Sequence, residues 1–527
     1  MPRGAFQRFA ASPLGDWILP SFSDFFLIAI LVWLFLAGAS GWKALLMDGD
    51  TGWHIRTGEY ILDHRAIPVK DLFSFSKPGA EWFAWEWLAD LVFGCLWRLS
   101  GLKGVVLFSG IVIAVYSTIL LRFALWKGAN VMVALPVTLL AVGSSSIHFL
   151  ARPHLFTLLL LPSALWILER DRRRPDRYVW CLVPLMIAWT NLHGGFAVLL
   201  VCLGLLVAGT ILEGCLGTPD WSSVRRYSLL LAACALSTLV NPFGIGLHRH
   251  ILGYLNADWI RNLVQEFQAP TFRSEGQLQF EVLLIAGMML VARLLPQRKI
   301  TEALWVLLFA HSALTSVRHA PLYAAVAAPL LANELSALWK KWSGREKRQS
   351  IPRILYDLGQ DLTPAFQRNT MWCCVTLILV ATISPVAWPS DFPQEAFPVA
   401  LVHRHSAEFE ARRVFTTDQW ADYLIYSFYP GQRVFIDGRS DFYGENLGKE
   451  YLALMQGTPR SRAILDKYAF QLVLVPAEWP LAQSLRSNSA WSVLEDDGKA
   501  VLFRLHSTNL GLMETAKSAE TISRSTM

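Results

Sequence analysis

The stretch Trp85-Glu86-Trp87-Leu88-Ala89-Asp90-Leu91-Val92-Phe93-Gly94-Cys95-Leu96-Trp97-Arg98-Leu99 is apolar enough to pass for a membrane span, and its reading sets the side of the membrane for every later loop. Glu86, Asp90 and Arg98 interrupt it, and its aromatic rings suit a helix lying along the membrane surface. Read as non-spanning, it belongs to a long first outer loop, residues 43–102, behind a first span at 24–42. Ten further spans follow at 103–121, 129–147, 154–168, 178–192, 195–213, 227–240, 281–295, 302–317, 320–338 and 371–388.

The distribution of basic residues supports this threading, because Lys and Arg resist translocation. With the N-terminus inside, the inner loops carry Arg122 and Lys127, then Arg170, Arg172, Arg173, Arg174 and Arg177, then Arg225 and Arg226, then Arg298 and Lys299. The last inner loop holds Lys340, Lys341, Arg345, Lys347, Arg348 and Arg353. The composition agrees. Of 527 residues 54% are hydrophobic and 17% charged, and the mean hydropathy of +0.36 excludes an ordinary soluble protein. The formal charge of +6 sits in these short loop clusters and reports orientation, not a nucleic-acid partner. The expected location is the plasma (inner) membrane, multi-pass, with the N-terminus cytoplasmic.

Arg3, Arg8, the apolar run from Phe25 to Leu36 and Ala37-Gly38-Ala39 have the outline of a secretory signal. The hydrophobic region continues nearly to Trp42, so an uncleaved first helix is the expectation. The seven cysteines, Cys95, Cys181, Cys202, Cys215, Cys234, Cys373 and Cys374, lack the paired spacing of a zinc site or a disulfide framework and read as packing residues. Residues 1–388 thus form a helical membrane domain. Residues 389–508 mix short β-rich runs, Val414-Phe415, Arg433-Val434-Phe435-Ile436 and Gln471-Leu472-Val473-Leu474-Val475, with helical stretches at 419–429 and 445–456. That alternation predicts a small extracytoplasmic α/β domain. The polar tail, 509–527, reads as disordered.

Chemistry-bearing residues gather on the outer side. Asp48-Gly49-Asp50-Thr51-Gly52-Trp53-His54-Ile55-Arg56-Thr57-Gly58-Glu59 opens the long outer loop with a general base, a pair of carboxylates and an anion-binding guanidinium. Arg152-Pro153-His154, Asn191-Leu192-His193-Gly194-Gly195, Glu266 and Arg318-His319 fall in other outer loops or outer helix ends. Positive-inside sorting disfavours outer arginines, so Arg56, Arg152, Arg249, Arg261 and Arg318 need a local reason, and clamping a phosphate or diphosphate is one. Snorkelling or helix capping is the plain alternative. In the C-terminal domain, Thr417-Asp418-Gln419-Trp420-Ala421-Asp422-Tyr423-Leu424 and Phe435-Ile436-Asp437-Gly438-Arg439-Ser440-Asp441-Phe442-Tyr443-Gly444 place acids and aromatics at strand ends, where α/β domains bind sugars or peptides. Structural turns and buried pairs explain the same residues.

A first span, a long acidic outer loop, many further spans and an external C-terminal domain together resemble the GT-C superfamily of membrane glycosyltransferases. The chain looks like the bacterial branch described as RgtA/B/C/D-like or dolichyl-phosphate-mannose mannosyltransferase-like. Its specific part is confined to Asp50-Thr51-Gly52-Trp53-His54-Ile55-Arg56-Thr57-Gly58-Glu59, Arg152-Pro153-His154-Leu155-Phe156 and Asn191-Leu192-His193-Gly194-Gly195-Phe196. The adjacent Asp-Glu pair of some mannosyltransferases is here Asp48-Gly49-Asp50, which leaves the base and metal dependence open. The resemblance implies transfer of a sugar from a polyprenyl-phosphate carrier to a glycan, lipid or protein acceptor of the cell envelope. Asp50, or Asp48, would be the base. His54, Arg56, Glu59, Arg152, His154, Asn191, His193, Glu266, Arg318 and His319 would bind substrate and phosphate, and Asp48 with Asp50 could seat a divalent cation, Mg or Mn. A lipid-linked glycan polymerase or ligase would use the same groups on a diphosphate. A transporter or scaffold is the non-enzymatic reading, against which stand the lack of an internal repeat and the scarcity of charge deep in the spans.

Overall fold

The computed structural model describes residues 19–37, 41–217, 219–347, 349–368, 370, 372, 375, 378 and 387–506. The signal-like N-terminus, nearly all of the eleventh expected span, Cys373, Cys374 and the tail 509–527 lie outside the described residues. In chain order the helices used below are α1 Phe22–Val32, α2 Asp50–His64, α3 Trp87–Ser100, α4 Leu102–Lys127, α5 Val131–Ser144, α6 His154–Arg173, α7 Leu182–Leu192, α8 Ala197–Cys215 and α9 Trp221–Ser237. They continue with α10 Glu275–Leu294, α11 Ile300–Thr315, α12 Ala320–Ser343, α13 Ile351–Gln367, α14 Asp418–Phe428 and α15 Glu445–Met455. Each of the ten expected spans before residue 339 coincides with a helix.

The chain divides into two compact units. The first comprises Met1–Leu45, Gly104–Leu252 and Arg261–Trp388. Among the described residues, Leu102–Lys127, Gly194–Cys215, Glu275–Gln297 and Val317–Ser343 are long and apolar enough to cross a membrane, while Phe22–Leu36, Val131–Ser144 and Ile300–Thr315 are apolar but shorter. Helix α10 shows what such a helix needs. Phe280, Leu283, Gly287, Leu290 and Leu294 are buried against neighbouring helices. Leu278, Val282, Ile285 and Met289, at helical spacing on another face, are 49–65% exposed. A helix apolar on every face suits lipid, where the outward stripe meets hydrocarbon.

Basic residues read from sequence only as orientation signals turn out to be paired. Glu169, nearly buried on α6, binds Lys127 (2.5 Å) and Arg172 (2.5 Å), and Arg172 continues to Glu302 (2.9 Å). Arg226 on α9 forks onto Asp171 at 2.7 and 2.8 Å. Glu334 on α12 collects Arg293 (2.7 Å) and Lys299 (2.5 Å). Each carboxylate is compensated by charge-assisted hydrogen bonds, so helix ends bearing charge can pack together.

The second unit joins Leu46–Lys103, Gly253–Ile260 and Pro389–Met527. The segment expected to be the long first loop of the helical domain therefore packs with the C-terminal residues. Helix α3 spans only 14 residues, about 21 Å, and lays Ala89, Asp90, Phe93 and Gly94 against α2. The sheet has strand order β1 Val414–Thr416, β2 Leu472–Pro476, β4 Ala500–Leu505, β3 Trp491–Asp496. β1 and β2 run parallel, and the remaining pairs are antiparallel. The run Arg433–Ile436, expected as a strand, makes only single bridges from Val434 to Val414 and to Ser74. The Asp437-Gly438-Arg439 turn, closed by Ser440 N donating to Gly438 O at 2.8 Å, leaves no length for more.

Candidate functional site

In the second unit, the acidic end of α2 meets the start of α14. Asp48 Oδ1 accepts from Asp50 N at 2.9 Å, and Gly49 N donates to Gln419 Oε1 at 2.7 Å. A Cβ on Gly52 would fall 2.6 Å from the carbonyl oxygen of Asp422, so glycine is what lets α2 and α14 approach this closely. A Cβ on Gly438 would fall 1.9 Å from Asp50 Oδ1 and 2.9 Å from Asp422 Oδ2. The carboxylates of Asp50 and Asp422 therefore crowd one glycine, and both are buried.

Asp422 Oδ1 accepts from Gly438 N at 3.1 Å, whereas its buried Oδ2 has no hydrogen-bond partner among the described residues. Burial, then the charges of Asp50 and Asp437, push the Asp422 carboxyl well above the usual carboxylate range, which the Gly438 N–H only partly offsets. Asp418 is also raised, by burial first, with the Asp48 charge adding to it and the Tyr451 hydroxyl opposing. On the other side of the segment, His54 Nδ1 meets Asp90 Oδ1 at 2.5 Å with both side chains 1% exposed. Asp90 is pushed well above its ordinary value by burial and then by Glu86. Helix α2 thus sits between two sets of acids whose protons are hard to remove.

Arg439 supplies compensating charge. Its guanidinium donates from Nε to Asp437 Oδ1 (2.8 Å) and from one terminal nitrogen to Asp437 Oδ2 (2.6 Å) and Asp71 Oδ1 (2.8 Å). The rings of Trp82 and Phe73 lie 4.5 and 5.0 Å from it. Tyr443 Oη donates to Asp437 Oδ2 at 2.6 Å. Arg56 and Glu59, expected at the substrate, are engaged in packing. Arg56 donates from Nε to Tyr426 O at 2.8 Å, pairs with Glu59 at 2.5 Å and lies between the rings of Trp97 and Tyr426.

In the first unit, a second cluster joins loops far apart in sequence. His154 opens α6 and donates from Nε2 to His148 O at 2.7 Å, with the two rings 4.6 Å apart. The His193 ring is 6.5 Å from that of His154. His193 Nδ1 accepts from Gly195 N (3.0 Å) and lies 2.8 Å from Thr157 Oγ1, which itself accepts from Trp189 Nε1 (2.8 Å). With Nδ1 an acceptor, the neutral ring carries its proton on Nε2. Arg318 approaches Glu266 at 4.0 Å and stacks 4.3 Å from the Phe267 ring.

His148 and His193 are pushed down to about 3, by burial first and then by charges that include Arg318 and Arg152. Glu266 is held at about 2; burial would raise it, but Arg318 and Arg152 outweigh that. Two expected residues are tied to backbone carbonyls. Asn191 fastens the end of α7 by donating to Ile187 O (2.8 Å) and Val240 O (2.9 Å), and His319 Nδ1 turns to Ser312 O (3.1 Å). His148 joins the cluster through its carbonyl and its ring, both of which meet His154. Asp90 and Glu86 looked like mere interruptions of an apolar run, and an acid at the buried face of a short helix is the signal that could have found Asp90. Among the described residues no three His, Cys, Asp or Glu side chains meet as a metal-holding group. Asp48 and Asp50 alone supply fewer oxygen ligands than a divalent cation takes.

No protein-family model and no curated protein matches the sequence. Solved structures do. The apo oligosaccharyltransferase of Archaeoglobus fulgidus superposes with a TM-score of 0.58 at 10% identity, covering 87% of this chain and 69% of that one. The archaeal oligosaccharyltransferase AglB from Archaeoglobus fulgidus, in complex with an inhibitory peptide and a dolichol-phosphate, gives 0.56 at 11% identity over 92% of this chain and 74% of the other. The Archaeoglobus fulgidus enzyme tethered to an acceptor peptide containing the NVT sequon gives 0.58 at 12%, over 93% and 74%. At such identity the likeness to these structures is one of fold alone. With its long apolar helices, the chain is a membrane protein of that fold.

Proposed function

We propose that the protein is an integral membrane glycosyltransferase that moves a sugar, a hexose in the finer reading, from a polyprenyl-phosphate-linked donor to a glycan, lipid or protein acceptor of the envelope. The reaction takes place on the extracytoplasmic face, with the N-terminus cytoplasmic, about eleven spans and the C-terminal domain outside. The observation that carries this reading is the buried acid pair Asp50 and Asp422 around Gly438, at the head of the helix that follows the first apolar segment. Shared fold with a protein held in complex with a dolichol-phosphate and a peptide supports it.

Asp50 takes the proton of the acceptor hydroxyl as that oxygen attacks the anomeric carbon. The bond from the anomeric carbon to the phosphate oxygen breaks, the electron pair leaves with the lipid phosphate, and configuration inverts in a single displacement. Asp422, raised by burial and then by the neighbouring Asp50 charge, keeps its proton more readily than an ordinary carboxyl. In the first unit, the cluster holding Arg152, Arg318 and the Nε2 proton of His193 has by itself the chemistry to bind an anion such as a lipid phosphate.

The test is transfer of radiolabelled sugar from polyprenyl-phosphate donors to a cell-envelope extract by purified protein in lipid, comparing wild type with Asp50→Asn. Loss of about 100-fold or more is expected, the scale of a general base. Turnover retained in Asp50→Asn rejects the assignment.

A further inference from the structure

Helix α13 has three unlike faces. Helical spacing puts Tyr356 and Gly359 on one, Ile351, Ile354, Leu355 and Leu358 on a second, and Arg353, Asp357, Gln360 and Asp361 on a third, each about 120° from the next. The first is packed against protein. Asn130 Nδ2 donates to Tyr356 O at 2.9 Å, the Tyr356 and Trp339 rings lie 5.7 Å apart, and a Cβ on Gly359 would fall 2.0 Å from Asn130 Oδ1. The third is polar, with Arg353 paired to Asp357 at 3.0 Å. The second is an apolar stripe, 42–73% exposed.

The contacts of α13 also fix its direction. Asn130, the N-cap of α5, meets the middle of α13. Ser21, the N-cap of α1, and Ser23 donate from their hydroxyls to Phe366 O at 3.2 and 2.5 Å, and the Phe22 and Phe366 rings lie 5.2 Å apart. Tyr356 and Phe366 are about 15 Å apart along the helix. A helix that touches the starts of two expected spans at points so far apart runs across their ends, along the membrane surface. Trp342, exposed in the last turn of α12, is a ring suited to that boundary.

We infer that α13 is a membrane-binding helix whose stripe of Ile351, Ile354, Leu355 and Leu358 inserts among lipid headgroups, with anionic phospholipid drawn to it by Lys340, Lys341, Arg345 and Lys347. A helix along the rim of the bundle meets protein, water and lipid at once, and its three faces match those surroundings. Charge selects the lipid. The polar face of α13 carries Asp357 and Asp361, so the attraction comes from the segment leading into the helix, where the four exposed basic residues stand against the acid Glu346. A basic cluster beside a span attracts anionic headgroups.

The experiment uses the full chain in phosphatidylcholine nanodiscs containing about 30% phosphatidylglycerol. With p-benzoylphenylalanine placed at Ile354, Leu358 or Gln360, irradiation followed by mass spectrometry should give lipid adducts at the first two positions about fivefold or more above the third. Phosphatidylglycerol should be enriched among them by about twofold or more over its share of the bilayer, and changing Lys340, Lys341, Arg345 and Lys347 together to Gln should remove that enrichment. Adducts at Ile354 and Leu358 to a peptide of the same chain or of a second copy, in place of lipid, overturn the inference. So does equal lipid labelling at Gln360, or a phosphatidylglycerol share equal to that of the bilayer. Wild type supplies a check free of any substitution: amide exchange over 351–367 should be slower by about threefold or more with phosphatidylglycerol present than in phosphatidylcholine alone, and equal rates overturn the lipid selection.

Discussion

At Asp422 burial and charge conflict. Its folded-state pKa is raised, so its contribution to stability is complete below the ordinary carboxylate value and is lost as pH climbs towards the raised one. Asp422→Asn removes a group that resists ionising and should stabilise the protein at pH 7.5 by on the order of 1–3 kcal/mol. The gain should vanish near pH 4, and thermal unfolding in detergent across that range measures it. Arg439 has the opposite role. Arg439→Met leaves Asp437 and Asp71 buried without their cation and should cost about 3–5 kcal/mol. Arg439→Lys should recover little of it, since an ammonium cannot hold both carboxylates in a planar fork. Sequence alone picked out Asp48, Asp50, His54, Asp418, Asp422, Asp437 and Arg439, because acids and a guanidinium stand out in so apolar a chain. It could not pair Asp50 with Asp422, which lie some 370 residues apart and meet only because Gly52 and Gly438 have no side chain.

At the scale of the element, α14 is held at its first turn by Thr417, whose side chain accepts from Trp420 N at 3.0 Å. Thr417→Ala should cost about 1 kcal/mol of stability. It should lower transfer activity by more than that loss of folded protein explains, since Asp418 and Asp422 ride on the freed turn; comparing unfolding with turnover per folded molecule separates the two effects. Helix α10 makes a different demand. Arginine at Ile285, in the outward stripe with Val282 and Met289, should reduce the yield of membrane-inserted protein, since such a charge costs about 2.5–3.5 kcal/mol at mid-membrane. Carbonate extraction of membranes reads that yield. Helix positions were legible because long apolar runs leave few alternatives. The short strands were less so: Val434 has strand composition, yet the turn at Gly438 cuts its pairing to single bridges.

At the scale of the molecule, the proposed orientation has a direct check. Alkaline phosphatase fused after residue 174 or 345 should be inactive, and fused after residue 400 active, because that reporter folds only outside the cytoplasm; the reverse pattern would turn the topology over. The expected division into residues 1–388 and 389–508 followed the change of composition along the chain. The compact units follow contacts, and no local signal tells residues 46–103 that their partners come last.

That discontinuity sets a timetable for synthesis. The ribosome releases Leu46–Lys103 early, and apart from Gly253–Ile260 the remainder of the same unit begins at Pro389, about 285 residues later. At roughly 5–20 residues per second the interval is about 15–60 s. Throughout it Asp71 waits for Arg439, and the first turn of α2 waits for α14, so this half-unit must be tolerated as an open surface by the cell. A C-terminal fragment starting at Pro389 and made alone inherits the complementary gap, with Arg439 lacking Asp71 and Val434 lacking Ser74.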